Sequence, residues 1–328
     1  MSNRVFGVIG LGNISDRHRK NLRFLFPESD IACLSSSGRI LSHLPENCDI
    51  LVDSLEQLIN LNPKFIIIAS PSTYHAAHAI PLIQNKIPLL IEKPIAASLE
   101  DGILIEEAAL RHNTPVAIAY CLRYKPFIQN IKEILEQEEI GKILNVEIYS
   151  GSYLPDWRPN KNYLESASAS SKLGGGALLE LSHEIDYALW ILGDLNLESA
   201  ELINSKILDI DVEDTVNLIL TLKNSACCNI HLNFIQKFSQ RYAYFYGSKG
   251  KVFWDLLTNN VKIISNDKEK IFELNVWDPN EMYIEMLKDF YNNFMELKSN
   301  NLSTLKDAGA TLSIIHQAQQ IQLKANNA

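Results

Sequence analysis

Cysteine is scarce in this 328-residue chain: Cys33, Cys48, Cys121, Cys227 and Cys228 are all there is, an odd number with no C-x-x-C spacing. That argues against a disulfide framework and against a zinc site, and favours reduced thiols in the cytoplasm. Adjacent Cys227 and Cys228 point to opposite faces if they lie on a strand. No apolar run reaches the ~18 residues of a membrane span. No basic start followed by an apolar core marks a secretory leader. Positive charge is also short, with 30 lysines and arginines against 39 aspartates and glutamates, and a net charge of −9. Such a balance argues against nucleic acid and against a membrane surface as partners. No internal repeat and no long low-complexity linker is visible. What remains is ordinary for a globular protein, 46% hydrophobic and 21% charged, at a length suited to two domains.

What is present is organised around Arg4–Ser15, Arg-Val-Phe-Gly-Val-Ile-Gly-Leu-Gly-Asn-Ile-Ser. A short apolar run ends in a glycine turn, and an amphipathic segment follows with Ile14, His18, Leu22 and Leu25 at helical spacing. Strand, glycine turn and helix are the context in which G-x-G-x-x-G means dinucleotide binding. Gly10 permits the tight turn, and Gly12 lets the backbone approach a pyrophosphate. The helix beginning at Asn13 and Ile14 then offers free N–H groups and its positive dipole end. Ser15 stands where the third glycine is usual, a small residue at a packing position.

A second strand is expected over Asp30–Ser35. An acid at the end of this strand would hold a ribose 2′-hydroxyl. Here the chain reads Ser35-Ser36-Ser37-Gly38-Arg39, hydroxyls and an arginine that suit a 2′-phosphate. The reading prefers NADP(H), with NAD(H) possible. Leu51–Ile59 suggests a short helix. Phe65–Ser70 reads as a buried parallel strand, followed by Pro71, Ser72 and His75 in a loop of the kind that lines a ligand crevice. A helix over Tyr74–Asn85 leads to a strand at Pro88–Ile91, which ends in Glu92-Lys93-Pro94. Lys93 either faces a nicotinamide or is a surface lysine; spacing does not separate the two. A helix at Ser98–His112 and a strand at Val116–Tyr120 complete an alternating β/α pattern, a doubly wound parallel sheet.

The pattern changes near Arg123. After a helix at Lys125–Gln137, strands are expected at Ile143–Tyr149, Val216–Leu222, Cys227–Leu232, Arg241–Tyr246 and Lys251–Trp254. Tyr242, Tyr244 and Tyr246 alternate as on one face of a sheet. Helices at about Asn280–Ser299 and Ser303–Asn326 close the chain. The expected fold is an α/β Rossmann domain over residues 1–122. An α+β domain with a large, mostly antiparallel sheet covers 123–328, its last helices free to pack back on the first.

Between the two sheet regions, Gly174-Gly175-Gly176 precedes a helix that carries Glu180, His183, Asp186 and Tyr187. These four share or border one helical face. A carboxylate and an imidazole so placed suit proton transfer; a capped core helix with a polar stripe explains the same spacing. The loop from Tyr149 to Lys172 holds Tyr153, Trp157 and Arg158. Trp157 suits stacking on a sugar ring, and Arg123 and Arg158 suit a carboxylate or phosphate. Packing on the sheet edge or on a partner subunit explains Trp157 and Arg158 equally well.

The chain resembles the Gfo/Idh/MocA oxidoreductases, the family of glucose–fructose oxidoreductase and inositol dehydrogenase. The resemblance rests on Gly10-x-Gly12, Glu92-Lys93-Pro94, Tyr120-Cys-Leu-Arg123-Tyr124-x-Pro126, Ile140-Gly141-Lys142, Gly174–Gly176, His183-x-x-Asp186, Asp214-Thr215 and Gly247–Gly250. It implies a Rossmann domain and a second domain with an open-faced mixed sheet, through which members form homodimers or homotetramers. It implies hydride transfer between NAD(P) and a hydroxyl or ketone of a sugar, sugar acid or nucleotide sugar. By matching position, Lys93 would orient the reacting oxygen and His183 would be the acid/base. Ser70, Pro71, Ser72 and His75, with Glu92 and Lys93, would line the cofactor. Asp186 matches the pattern, whereas the acid usual four residues before the histidine is replaced by Leu179, with Glu180 three before. Two other activities remain open on the same fold: NAD-recycling glycoside hydrolysis or elimination, and non-catalytic sensing of NADP(H).

Overall fold

The structure is a computed structural model that describes residues 4–39, 43–266, 268–293 and 301–326. The chain divides into two compact units: residues 1–124 with 279–312, and residues 125–278 with 313–328.

The first unit begins with the strands β1 (Val5–Ile9), β2 (Asp30–Leu34), β3 (Ile50–Val52), β4 (Ile66–Ile68), β5 (Leu89–Ile91) and β6 (Val116–Ile118). Between them lie the helices α1 (Asn13–Leu25), α2 (Leu55–Asn60), α3 (His75–Gln84) and α4 (Leu99–His112). The strands form one six-stranded parallel sheet in the order β3-β2-β1-β4-β5-β6. Their short apolar runs are buried on both faces, as a parallel sheet covered by helices requires. The order reverses between β1 and β4, the topological switch point where such sheets leave a crevice.

Local sequence sets the helix starts. Ser54 accepts the Gln57 N–H and Ser98 accepts the Asp101 N–H, both as N-caps. The first cap corrects the expectation of a helix from Leu51: Ile50–Val52 pairs with β2, and the helix begins only after Ser54.

The second unit holds an eight-stranded sheet of β7 (Ile143–Tyr153), β8 (Leu195–Ile203), β9 (Thr215–Leu222), β10 (Cys227–Asn233), β11 (Ile235–Gly247), β12 (Gly250–Asp255), β13 (Asn260–Ser265) and β14 (Lys268–Glu273). Its helices are α5 (Ile128–Glu136), α6 (Ala177–Glu180) and α7 (His183–Leu192). The strand order is β14-β13-β12-β11-β7-β10-β9-β8, antiparallel except for the β7–β10 pair. Period-two alternation gives the sheet two faces. Val146, Ile148, Ile230, Phe245 and Trp254 are buried, and Trp254 meets Tyr187 of α7 edge to face at 5.5 Å. The opposite face carries the aromatic row. Tyr149 stacks on Tyr242 at 5.2 Å and on His231 at 4.8 Å, and Tyr244 stacks on Tyr246. Cys228 is buried and Cys227 half-exposed, as neighbours on one strand must be.

Two helices close the chain. In α8 (Glu281–Asn293), Met286, Leu287 and Phe290 join the first unit's core; the expected continuation over 294–299 lies outside the described residues. Of α9 (Leu305–Asn326), Ala308 and Leu312 pack in the first unit's core, and Gln322, counted with the second unit, accepts the Leu202 N–H at 3.1 Å.

Candidate active site

In the first unit the crevice end of β1 is built by glycine. Gly10 has φ +113°, and a Cβ there would strike the Ala69 carbonyl. Gly12 is the N-cap of α1, has no side-chain cap, and an added Cβ would meet nothing within 4 Å. Exposed Asn13 and half-buried Ile14 begin α1 at its positive end, next to the space that Gly12 leaves. Ser15 is fully buried and donates to the Ala69 carbonyl at 3.3 Å, which pins α1 to the end of β4. The Ser72 hydroxyl is buried and has no partner among the described residues. An open helix N-terminus and an unused buried hydroxyl at the same strand ends fit a dinucleotide.

After β2, the Ser35 hydroxyl accepts the Arg39 N–H at 3.0 Å and lies 3.5 Å from the Ser37 hydroxyl. Gly38 at φ +68° closes this turn, and Ser37 and Arg39 are exposed.

After β4, Ser70 and Ser72 are buried and Pro71 is half-buried. The Ser70 hydroxyl meets His78 Nδ1 at 3.0 Å, and burial lowers the His78 pKa to about 4. His75, expected to line the cofactor, is only 1% exposed, and its ring is spent on the backbone. Nε2 lies 2.9 Å from the Ser70 carbonyl; Nδ1 lies 3.0 Å from that of Pro94 and 3.1 Å from that of Ile95.

After β5, Lys93 is half-buried, and its N–H donates to Glu92 Oε2 at 3.2 Å. The other Glu92 oxygen meets Nε2 of His18, a fully buried residue of α1, at 2.7 Å. Arg123, considered above for an anionic substrate, is 2% exposed and ion-paired with Asp307 at 3.2 Å. Its guanidinium ties the turn after β6 to the start of α9.

In the second unit the glycine loop is forced. Gly176 has φ +107°, and a Cβ would collide with the Glu213 carboxylate. That carboxylate accepts the Leu178 N–H at 3.0 Å at the start of α6, and burial raises its pKa to about 6. The helix expected to carry Glu180 and His183 together is two helices, because α6 ends at Glu180 and α7 starts at His183. The i, i+3 argument for a shared face therefore does not apply to that pair. Glu180 and His183 are both half-buried; Asp186 is 1% exposed. Tyr187, a candidate substrate contact, is wholly buried against Trp254, and burial pushes its hydroxyl pKa up. Glu184 is 0% exposed and bonds Arg241 of β11 at 2.6 and 3.1 Å.

In the loop after β7, Trp157 donates to the Ser152 hydroxyl at 2.9 Å and meets Phe234 edge-on at 5.2 Å. Tyr153 is half-buried with the Lys237 ammonium 5.7 Å from its ring, and Arg158 is exposed.

The oxidoreductase family with an NAD-binding Rossmann fold matches residues 4–120, and the Gfo/Idh/MocA C-terminal domain matches residues 128–253. The chain belongs to the Gfo/Idh/MocA oxidoreductase family. It is 25% identical over 303 residues to the uncharacterized oxidoreductase YrbE of Bacillus subtilis, covering 88% of this chain and 83% of the relative. It is 23% identical over 301 residues to the myo-inositol 2-dehydrogenase of Thermotoga maritima, covering 88% and 87%. Among solved structures, a levoglucosan dehydrogenase in complex with NADH and levoglucosan superposes with a TM-score of 0.83. It covers 98% of both chains at 18% identity, a likeness of fold.

As a Gfo/Idh/MocA member the chain is an oxidoreductase with an NAD-binding fold, and it carries no helix, among the described residues, long and apolar enough to cross a membrane. Sequence reasoning missed four of its site-supporting residues: His18, Glu184, Glu213 and Arg241. His18 is the one with a visible signal, a histidine on the apolar face of a helix. The partners of the others are set by the long-range register of β11 and by the turn before β9.

Proposed function

We propose that the protein is an NADP(H)-preferring dehydrogenase acting on a secondary hydroxyl or ketone of a sugar or sugar derivative. The observation that carries the cofactor half is Gly12, the open N-cap of α1 with no side chain in the way. When bound, the nicotinamide supplies a hydride acceptor or donor. The chain's own residues do the rest. The N–H groups at Asn13 and Ile14 hold phosphate oxygens at the positive helix end. Ser35, Ser36, Ser37 and Arg39 form a turn, exposed at Ser37 and Arg39 and without a carboxylate, which suits a 2′-phosphate.

The Lys93 side chain stabilises the alkoxide as it develops. His183 takes the hydroxyl proton in oxidation and returns it in reduction, a role worth roughly 10²–10⁴-fold in rate. Of the carboxylates near it in sequence, Glu184 is bonded to Arg241, which leaves Glu180 and Asp186 as candidates to assist it. Asp186 is buried, which suits holding α7 more than exchanging protons. A polyhydroxy substrate is supported by the relative named for myo-inositol and the neighbour bound to levoglucosan. With Arg123 ion-paired to Asp307, the case for an anionic sugar rests on Arg158. Assembly as a homodimer or homotetramer through the aromatic sheet face belongs to the same proposal.

Titration of nicotinamide fluorescence with NADPH and NADH tests the first half, and tighter NADPH binding is the expected result. Reduction of the bound cofactor across a panel of cyclitols, hexoses, anhydrosugars and sugar acids tests the second. Binding without turnover across that panel would return the protein to a sensing role.

A further inference from the structure

The segment from Glu92 to Ile95 is tied at both ends by buried imidazoles that reach it from different elements. On one side stands His18, 0% exposed, on the helix whose first turn would face the phosphates. Its Nε2 meets Glu92 Oε1 at 2.7 Å, while Glu92 Oε2 accepts the Lys93 N–H at 3.2 Å. The carboxylate cannot turn without losing both bonds. On the other side stands His75, 1% exposed, at the first position of α3. Its Nδ1 faces the carbonyls of Pro94 and Ile95, and its Nε2 faces the carbonyl of Ser70. Carbonyl oxygens only accept, so the ring serves both sides at once only with a proton on each nitrogen; a neutral ring donates to one side.

We infer that His18 and His75 are positioning residues that clamp the Lys93 segment between the phosphate-facing helix and the Ser70–Ser72 loop. The contacts run from α1 through His18 and the Glu92 carboxylate to the Lys93 backbone; from the other side the His75 ring, whose pKa burial lowers, donates to the Pro94 and Ile95 carbonyls or to that of Ser70 and packs between them. Every link lies within the first unit. The elements that would hold the cofactor thereby set where the Lys93 ammonium stands. A rigid frame is what this role requires, because misplacement of a reacting group by about 1 Å costs on the order of 10²-fold in rate. Neither histidine touches the reacting atoms in this scheme, and the inference rests on the reading of Lys93 as the residue that meets the reacting oxygen.

The test reads Lys93 directly and needs no substrate. The full-length protein is acylated with an N-hydroxysuccinimide ester, and the rate at each lysine is followed by peptide mass spectrometry, with and without saturating NADPH. In His18→Ala and His75→Ala, acylation of Lys93 in the apoprotein is expected to change by about fivefold or more, the worth of one net hydrogen bond. Exposed Lys86, away from the clamp, keeps its rate. His18→Gln, whose amide still donates to Glu92, restores the Lys93 rate towards the parent's. It also keeps the experiment decisive if the alanine variants do not fold. A Lys93 rate equal to the parent's in folded alanine variants, or a His18→Gln variant as altered as His18→Ala, overturns the clamp. Protection of Lys93 by NADPH in the parent, reduced in the variants, supports it further. Absence of protection in the parent counts against the role of Lys93, and the clamp is then judged on the apoprotein rates alone.

Discussion

Arg241 closes a two-pronged bond on Glu184, at 2.6 and 3.1 Å, and Glu184 has no exposed surface at all. The pair ties the first turn of α7 to the middle of β11, one residue beyond His183. Because the carboxylate is fully desolvated, its partner is needed more than a surface partner would be. Arg241→Ala leaves a buried charge uncompensated and is expected to destabilise the fold by about 3–5 kcal/mol. Arg241→Lys, which cannot fork, is expected to fall between the two. Urea denaturation of the three proteins checks the ranking; a loss below 1 kcal/mol for the alanine variant would mean that water replaces the guanidinium.

Glu213 makes stability depend on pH in a stated direction. Burial raises its carboxyl from 4.5 to about 6. A group raised on folding contributes stability that is fully present below the unfolded value and lost as pH rises through the folded one. The shift corresponds to about 2 kcal/mol. Glu213→Gln keeps the acceptor for the Leu178 N–H and removes the charge. It is expected to gain on the parent by this order above pH 6.5, and the gain should vanish near pH 4.5. A pH-independent difference in melting between the two proteins would place the cause elsewhere.

The two glycines of the first turn separate folding from binding. A Cβ on Gly12 meets nothing, so Gly12→Ala should fold and melt close to the parent, within the few tenths of a kcal/mol to about 1 kcal/mol of an altered N-cap. Its methyl group then stands where a pyrophosphate approaches, and nicotinamide affinity is expected to fall tenfold or more, about 1.4 kcal/mol. Gly10→Ala strikes the Ala69 carbonyl at a φ closed to side chains and should lower the melting temperature itself. Calorimetry beside fluorescence titration distinguishes the two. Unaltered affinity in Gly12→Ala would remove the phosphate from this turn.

The proposed preference for NADP(H) rests on the turn after β2. Arg39→Ala should weaken NADPH and leave NADH within about twofold. Ser36→Asp should reverse the preference by placing a carboxylate beside the 2′ position. Equal effects of Arg39→Ala on both nucleotides would make Arg39 a solvated turn residue.

The parallel sheet was readable because its strands are short apolar runs, such as Ile66–Ile68 and Leu89–Ile91, that are buried on both faces and leave no other use for such sequence. Of the strands that sequence reading passed over, β3 has three residues and β14 is mostly charged, while β8 and β13 carry apolar residues that the reading did not use. Residues Lys268–Glu273 are mostly exposed and pair with β13 alone, so propensity says little about them. The site shows the same division. Gly10, Gly12 and the Glu92-Lys93-Pro94 run announce themselves locally. The break between Glu180 and His183 does not, because a helical period continues straight through Leu181 and Ser182. Arg123 and Trp157 are residue types that serve ligand contacts, and the sequence shows nothing of their internal partners. Their partners, Asp307 and Ser152 with Phe234, become visible only once the chain is folded.

An open sheet of eight strands has two edge strands, and the outer main-chain groups of an edge strand invite another strand to add on; on β8 the Leu202 N–H is taken by Gln322. At one end β14 meets this hazard with charge. Lys268, Glu269, Lys270 and Glu273 sit along six residues, with Glu269 paired to Lys262 and Lys270 to Glu139. A strand adding there would have to strip water from those ions and break their pairs. The polar sequence that hid β14 from pattern recognition is therefore also its protection against growth into fibres.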